Sequence, residues 1–154
     1  MTYTVSTDNV VNVVNILSGN WVSAHTANTT PTIKDVVDPS LSRVRDLQFG
    51  DMIYVYRVDE GLRPNDVGNN SYLSDTRVSI DINTMHARTR LELLITEVER
   101  IIQSQRHNAV DSSGNNMPFR IIQPVSKVDL SDKRIKTWRL VYDIKLIQPV
   151  KVLT

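Results

Sequence analysis

The first residues to test for chemistry are three histidines, His25, His86 and His107. Imidazole is the common general base near neutral pH and a common metal ligand. His86 and His107 fall near opposite ends of one predicted helix. At the helical rise per residue they stand about 31 Å apart, too far to share an ion within one subunit. His25 lies in a polar segment with no acidic neighbour in sequence. The ligand spacings of a zinc site are missing. The acidic residues offer no better pair. Asp35 and Asp38 flank two valines. Asp129 and Asp132 fall in a turn, where aspartate is favoured because it bonds the local backbone. The chain has neither a GxxxxGK[ST] phosphate loop nor a GxSxG nucleophile elbow. An enzyme is therefore the least favoured class, with no catalytic, cofactor-binding or metal residue to assign. Its simplest discriminator is whether His25 meets a carboxylate in a cleft.

Two basic clusters remain, Arg43 with Arg45, and Lys133, Arg134 and Lys136. Each reads as a solvated surface or as a contact for nucleic acid or an acidic neighbour. No aromatic residues interleave with them, so a base-stacking platform is not expected. Net charge is +1, from 18 basic against 17 acidic residues in 154. A dedicated nucleic-acid binder usually carries a clear basic excess. The chain has no cysteine, which removes disulfides and thiolate metal sites. The N-terminus lacks the charge and apolar run of a signal peptide. No apolar stretch reaches the roughly 20 residues that span a bilayer. These features predict a cytoplasmic protein with no membrane partner and no cofactor.

The elements that position these residues follow from periodicity. Residues 7–18 predict a short helix with Val10, Val13, Val14 and Leu17 on one face, Asn12 and Asn15 off it, and Thr7 or Asp8 as cap. Residues 19–31 read as a loop. Trp21 there either plugs the edge of the core or meets a partner. Ile33, Val36 and Val37 suggest a short extended piece. Residues 51–58, DMIYVYRV, read as a strand with apolar residues on both faces, as in a central strand or one whose outer face meets another subunit. Residues 59–71 read as a long turn-rich loop, and such loops often carry function.

Residues 72–83 return as a strand with Val78, Ile80 and Ile82 on the inner face. A helix over 84–107, capped by Asn83 or Thr84, carries Leu91, Leu94, Ile95, Val98, Ile101 and Ile102 at spacings of three and four. Ordering so many residues costs more than the stripe returns alone, so the helix must dock on the sheet. Residues 119–128 and 135–147 form a final strand pair, and Pro149 marks its end. In the last strand Trp138, Leu140, Tyr142, Ile144 and Leu146 alternate with mostly polar residues. The apolar tail 150–153 either adds to a neighbour's sheet or folds back on its own. The sum is one α+β domain over 1–154. It has a small, mostly antiparallel sheet of four to five strands, one long helix against it and a short N-terminal helix.

The order of these segments resembles the tail terminator, or tail completion, family of long-tailed viruses, the bacteriophages. The resemblance covers residues 8–147. It rests on the N-terminal amphipathic helix, Ile16-Leu17 followed by Asn20-Trp21, and Pro31 two residues before Ile33. It continues through DMIYVYRV, the long loop, VSIDI running into ARTRLELLITEVERII, and the closing WRLVYDIKL. Residues 38–49 are longer than the family pattern. The resemblance implies a virion structural protein of the tail and neck, assembled in the host cytoplasm. It further implies a homo-oligomeric ring, commonly a hexamer, that caps the tail tube and meets the head-proximal connector, with DNA passing through its lumen without sequence-specific binding. The family has no catalytic residues to carry over. The loop 59–71 is expected to face a neighbour, the tube or the lumen. Candidate interface residues are Tyr54, Tyr56, Leu62, Arg63, Asn65, Val150, Val152 and Leu153. The rival structural reading is another connector, neck or baseplate component. The rival of a different class is a small nucleic-acid-binding module using Arg43, Arg45, Lys133, Arg134 and Lys136.

Overall fold

A computed structural model describes residues 8–38, 50–64, 71–107, 109–110 and 114–151. The elements are α1 (Asn9–Asn20), a short 3-10 turn (Ser23–Thr26), β1 (Thr32–Asp35), β2 (Met52–Pro64), β3 (Ser71–Thr84), α2 (Arg88–Ser104), β4 (Ile121–Asp129) and β5 (Trp138–Lys151). The strands form one five-stranded sheet in the order β1-β2-β3-β5-β4. Only β1 runs parallel to its neighbour. The α+β class and the mostly antiparallel sheet agree with the sequence reading.

Both helices lie on one face of the sheet. Ile53 and Val55 of β2, Val78, Ile80 and Ile82 of β3, and Leu140, Ile144 and Leu146 of β5 point toward them. From α2, Leu91, Leu94, Val98, Ile101 and Ile102 meet this layer, and α1 adds Val10, Val13, Ile16 and Leu17. Alternation in the strands and three-four spacing in the helices converge on one core. Trp21 is half-buried against this core and donates from Nε1 to Thr26 Oγ1 at 3.1 Å, which fits its reading as a plug.

Several boundaries differ from expectation. Helix α1 starts after Asp8, whose Oδ1 accepts from Val10 N at 2.9 Å, and it runs through Gly19 to Asn20. Asn12 lies on the buried side rather than off it, donating to Asn9 Oδ1 at 3.2 Å, while Asn9 donates to Gln148 Oε1 at 2.9 Å. Helix α2 begins at Arg88 after an Ala87 N-cap, and among the described residues no side chain caps it. Asn83 and Thr84 belong to β3 instead. Thr84 Oγ1 donates to Asp51 Oδ1 at 2.6 Å and accepts from His86 N at 3.2 Å, so its hydroxyl serves the bend before the helix and not the first turn.

Of the long loop expected over 59–71, residues 59–64 and 71 are strand. β2 and β3 stay paired from Asp59 opposite Arg77 to Pro64 opposite Tyr72, past a bulge between Arg57 and Asp59. This stretch of β2 carries no apolar alternation. Backbone pairing and polar contacts such as Ser74 to Glu60 at 3.3 Å hold it, so hydrophobic period could not reveal it.

Pro149 does not end β5. It pairs with Leu73, and the strand continues through Val150 opposite Tyr72. Ile147 accepts from Arg120 N on the β4 side, so the nitrogen of Pro149 faces that same side. There β4 has ended, and the missing N–H breaks no ladder bond.

Candidate interaction face of the sheet

The sheet face opposite the helices is built from the other phase of the same strands. Met52, Tyr54 and Tyr56 come from β2, Arg77, Ser79, Asp81 and Asn83 from β3, and Arg139, Asp143 and Lys145 from β5. Register brings Tyr54 opposite Asp81, Tyr56 opposite Ser79, and Arg139 opposite Asn83. A polar network results. Arg139 donates from Nε to Asp81 Oδ1 and from Nη2 to Asp81 Oδ2, both at 2.9 Å. Asn83 Nδ2 donates to Asp81 Oδ1 at 3.0 Å. Ser79 donates to Asp143 Oδ1 at 2.5 Å, and Ser126 donates to Asp143 Oδ2 at 3.3 Å. Arg77 lies 3.6 Å from Asp143 and 3.8 Å from Asp59. Opposite charges thus sit on neighbouring strands, the arrangement that fixes cross-strand register.

Electrostatics on this face follow from burial and pairing. Burial pulls the Arg139 guanidinium down, but Asp81 and Tyr56 outweigh it and raise its pKa. Burial pushes the Tyr56 phenol up, Asp81 adds to the rise, and a hydrogen bond with Ser79 opposes it. Among the described residues, Arg77 Nε and Asn83 Oδ1 are buried without a hydrogen-bond partner. Such orphans are uncommon in folded proteins.

The expected interface residues separate here. Tyr54 is 0% exposed, packed with Met52 and flanked by Val36 and Tyr56, and Lys34 Nζ lies 5.6 Å from its ring centre. Its ring is therefore a support inside the chain and not itself a contact surface. Tyr56 is half-buried. Leu62, Arg63 and Val150 lie in strands, opposite Ser74, Leu73 and Tyr72. Asn65, Val152 and Leu153 lie outside the described residues, as do Arg43 and Arg45.

The histidines do not converge, but His25 does meet a carboxylate. Its Nδ1 lies 2.8 Å from Glu97 Oε2. Glu97 sits on the flank of the apolar stripe of α2, 1% exposed, and also accepts from Val22 N at 3.0 Å and from Arg100 Nη2 at 2.5 Å. Burial pushes its carboxyl up, but Arg100, the Val22 N–H and His25 outweigh burial and hold it at about 2. The bonds from His25 and Val22 tie the 3-10 turn and its N-cap to α2, and Arg100 braces Glu97 from within the helix, so the geometry is that of an anchor. His86 Nε2 lies 3.9 Å from Asp51 Oδ1, and His107 forms a backbone bridge with Ile121. Asp129 and Asp132 accept from Ser131 N and Arg134 N, the local turn role the sequence predicts. Among the described residues, no group of three or more His, Cys, Asp or Glu side chains could hold a metal.

Glu97, Asp81 and Arg139 escaped the sequence reading. The last two share the polar phase of their strands, but only the register places them together.

No protein-family model matches the sequence, and no curated protein matches it. The fold is similar to that of a chain in the virion of a native gene transfer agent particle, with a TM-score of 0.57 and 14% identity. That similarity covers 97% of this chain and 100% of the other. At this identity the likeness is one of fold.

Proposed function

We propose that the chain is a virion structural protein, a tail terminator whose copies close into a ring, capping the tail tube and joining it to the head-proximal connector. The observation that carries this reading is the shared fold. It runs the whole length of a chain from a gene transfer agent virion, covering 97% of this one. The resemblance of the sequence to the tail terminator family supports the same reading. The sheet also supplies what a ring subunit needs. It has two unlike edges, β1 and β4, and, on the face opposite α1 and α2, a fixed polar network. A ring built from one kind of subunit uses a heterologous contact, in which two different surfaces meet and the rotation closes on itself. The mechanism is therefore one of shape. A closed ring, a hexamer in this reading, ends the tube by offering the connector a surface unlike the tube's own.

The partners are copies of the chain, the tail tube protein and the connector, with DNA passing through the lumen unread. The location is the tail and neck of the virion, after assembly in the host cytoplasm. Native mass measurement and electron microscopy, with and without tail tubes, test this. A ring mass and density at the tube end are expected. A strict monomer at high concentration in both conditions overturns it. Position in a virion map separates the tail terminator from another connector, neck or baseplate component. A nucleic-acid-binding module would instead show a steeply salt-dependent affinity for DNA.

A further inference from the structure

The two edges of the sheet are complementary. At one edge, β1 leads into Val36 and Val37, and Val37 is 97% exposed. Asp35 is exposed there and has no ion-pair partner among the described residues. A cavity of about 340 Å³ opens beside them, lined by Asp8, Val10 and Arg57 as well. At the other edge, Ile121, Val125 and Val128 of β4 are 37%, 45% and 47% exposed. A second cavity of about 340 Å³ lies beside this strand, lined by Val125, Lys127 and Tyr142 among others. The charge here is cationic. Lys127 is half-exposed although paired with Glu99 at 2.5 Å. Arg106, Arg120 and Lys145 cluster at the start of β4, where Ile122 N bonds Arg106 O, Arg120 N bonds Ile147 O and Lys145 stands opposite Gln123. Among the described residues none of these three has a carboxylate partner, whereas Arg57, Arg77, Arg88, Arg90, Arg100, Arg134 and Arg139 all do.

The register places these features level with each other. Asp35 stands opposite Val55, Val55 opposite Ile80, Ile80 opposite Tyr142, and Tyr142 opposite Lys127. Asp35 and Lys127 therefore end one row that crosses all five strands. The row two steps further on, Arg57, Val78 and Ile144, ends at Pro124, and the bulged Val125 lies between the two rows, on the side toward which the chain runs from Asp35 to Val37. A second copy displaced across the strands brings acid to base and valine to valine. Open-ended strand addition is blocked, because Pro124 and the bulge between Pro124 and Ser126 interrupt the β4 ladder. The contact is left to side chains.

We propose that successive copies of this chain meet edge to edge and head to tail. Asp35, Val36 and Val37 of one copy seat against Val125, Lys127 and Val128 of the next. This rests on the ring reading above and names the surface that makes the ring.

The absence of cysteine provides a clean test. The variant carrying both Val37→Cys and Val125→Cys, oxidised without reductant, is expected to give a ladder of cross-linked species ending in one closed band. Val37→Cys alone and Val125→Cys alone should give none, because a head-to-tail contact never brings like positions together. Asp35→Lys should reduce the assembled fraction about tenfold, through like charge against Lys127. Adding Lys127→Glu should restore it. A covalent dimer from either single variant overturns the proposal, since it reports a two-fold contact. So does an unchanged assembled fraction in Asp35→Lys, or a ring that fails to cross-link in the double-cysteine variant; in both cases the ring reading stands. A wild-type chain that stays monomeric with and without tail tubes overturns the ring reading and this contact together.

Discussion

Arg139 holds Asp81 across the boundary between β5 and β3 with two parallel bonds of 2.9 Å, on the face opposite α1 and α2. Asp81 has no exposed surface and Arg139 is 18% exposed. A fork against a buried carboxylate fixes both distance and angle, so the pair works as a register pin for the two middle strands.

Truncation of the fork should be costly. Arg139→Ala removes both bonds of the fork from the buried Asp81 carboxylate, and a loss of about 3 kcal/mol is expected, the low end for a broken buried pair because Arg139 keeps some solvent. Replacing both with apolar residues, Asp81→Leu with Arg139→Met, should cost less than Arg139→Ala alone. Urea unfolding of the two variants decides the order. The reverse ranking would show that the pair is not desolvated as described.

Acid should loosen the attachment of the 3-10 turn. The Glu97 carboxyl is held at about 2 in the folded chain, below its ordinary 4.5. The unfolded chain binds the proton more readily, so the stabilisation is complete above about pH 4.5 and fades as pH falls through about 2. A shift of that size corresponds to a contribution on the order of 3 kcal/mol. Glu97→Gln should flatten the acid limb of stability against pH. A variant with an unchanged limb would assign the acid sensitivity to other carboxylates, such as Asp129.

The core stripe of α2 is expected to behave as shared packing. Ile101→Ala should cost about 2–5 kcal/mol, since the side chain is fully buried between helix and sheet. Leu93→Ala, on the same helix but 40% exposed, should cost under about 1 kcal/mol. Thermal unfolding of both variants measures the contrast.

The two tyrosines of β2 should separate stability from assembly. Tyr54→Ala removes a fully buried ring, and a loss of about 3–5 kcal/mol is expected in the isolated chain. Tyr56→Ala, from a half-buried position, should cost about 1 kcal/mol and act mainly on the assembled fraction seen by native mass measurement. Equal stability losses in the two would dissolve the distinction.

The legible part of this fold was the part with an apolar side. Val78, Ile80 and Ile82, the six-residue stripe of α2 and the alternation from Trp138 to Leu146 all occupy the places that periodicity assigns. Alternation stops at Val58, so the strand beyond it was read as loop, although the backbone pairs on to Pro64. Pro149 misled for a similar reason. A proline forbids a ladder bond only on the side its nitrogen faces, and that side depends on where β4 ends. Glu97 was hidden because a buried carboxylate beside an apolar stripe looks like the solvent flank of a helix. Its partners, Val22 and His25, are remote in sequence. The edge complementarity lay in the sequence as exposed valines and stray charges, but only the five-strand row aligns Asp35 with Lys127.

β5 follows β4 in the chain, yet it sits between β3 and β4. Until β5 has emerged from the ribosome, β3 lacks one neighbour and β4 has nothing to join. The helices lack the layer that Leu140, Ile144 and Leu146 complete. Folding of the sheet must therefore wait for β5. A message cut short of β5 yields a chain that cannot enter an assembly as a defective member, and every copy that does assemble carries an intact C-terminal strand.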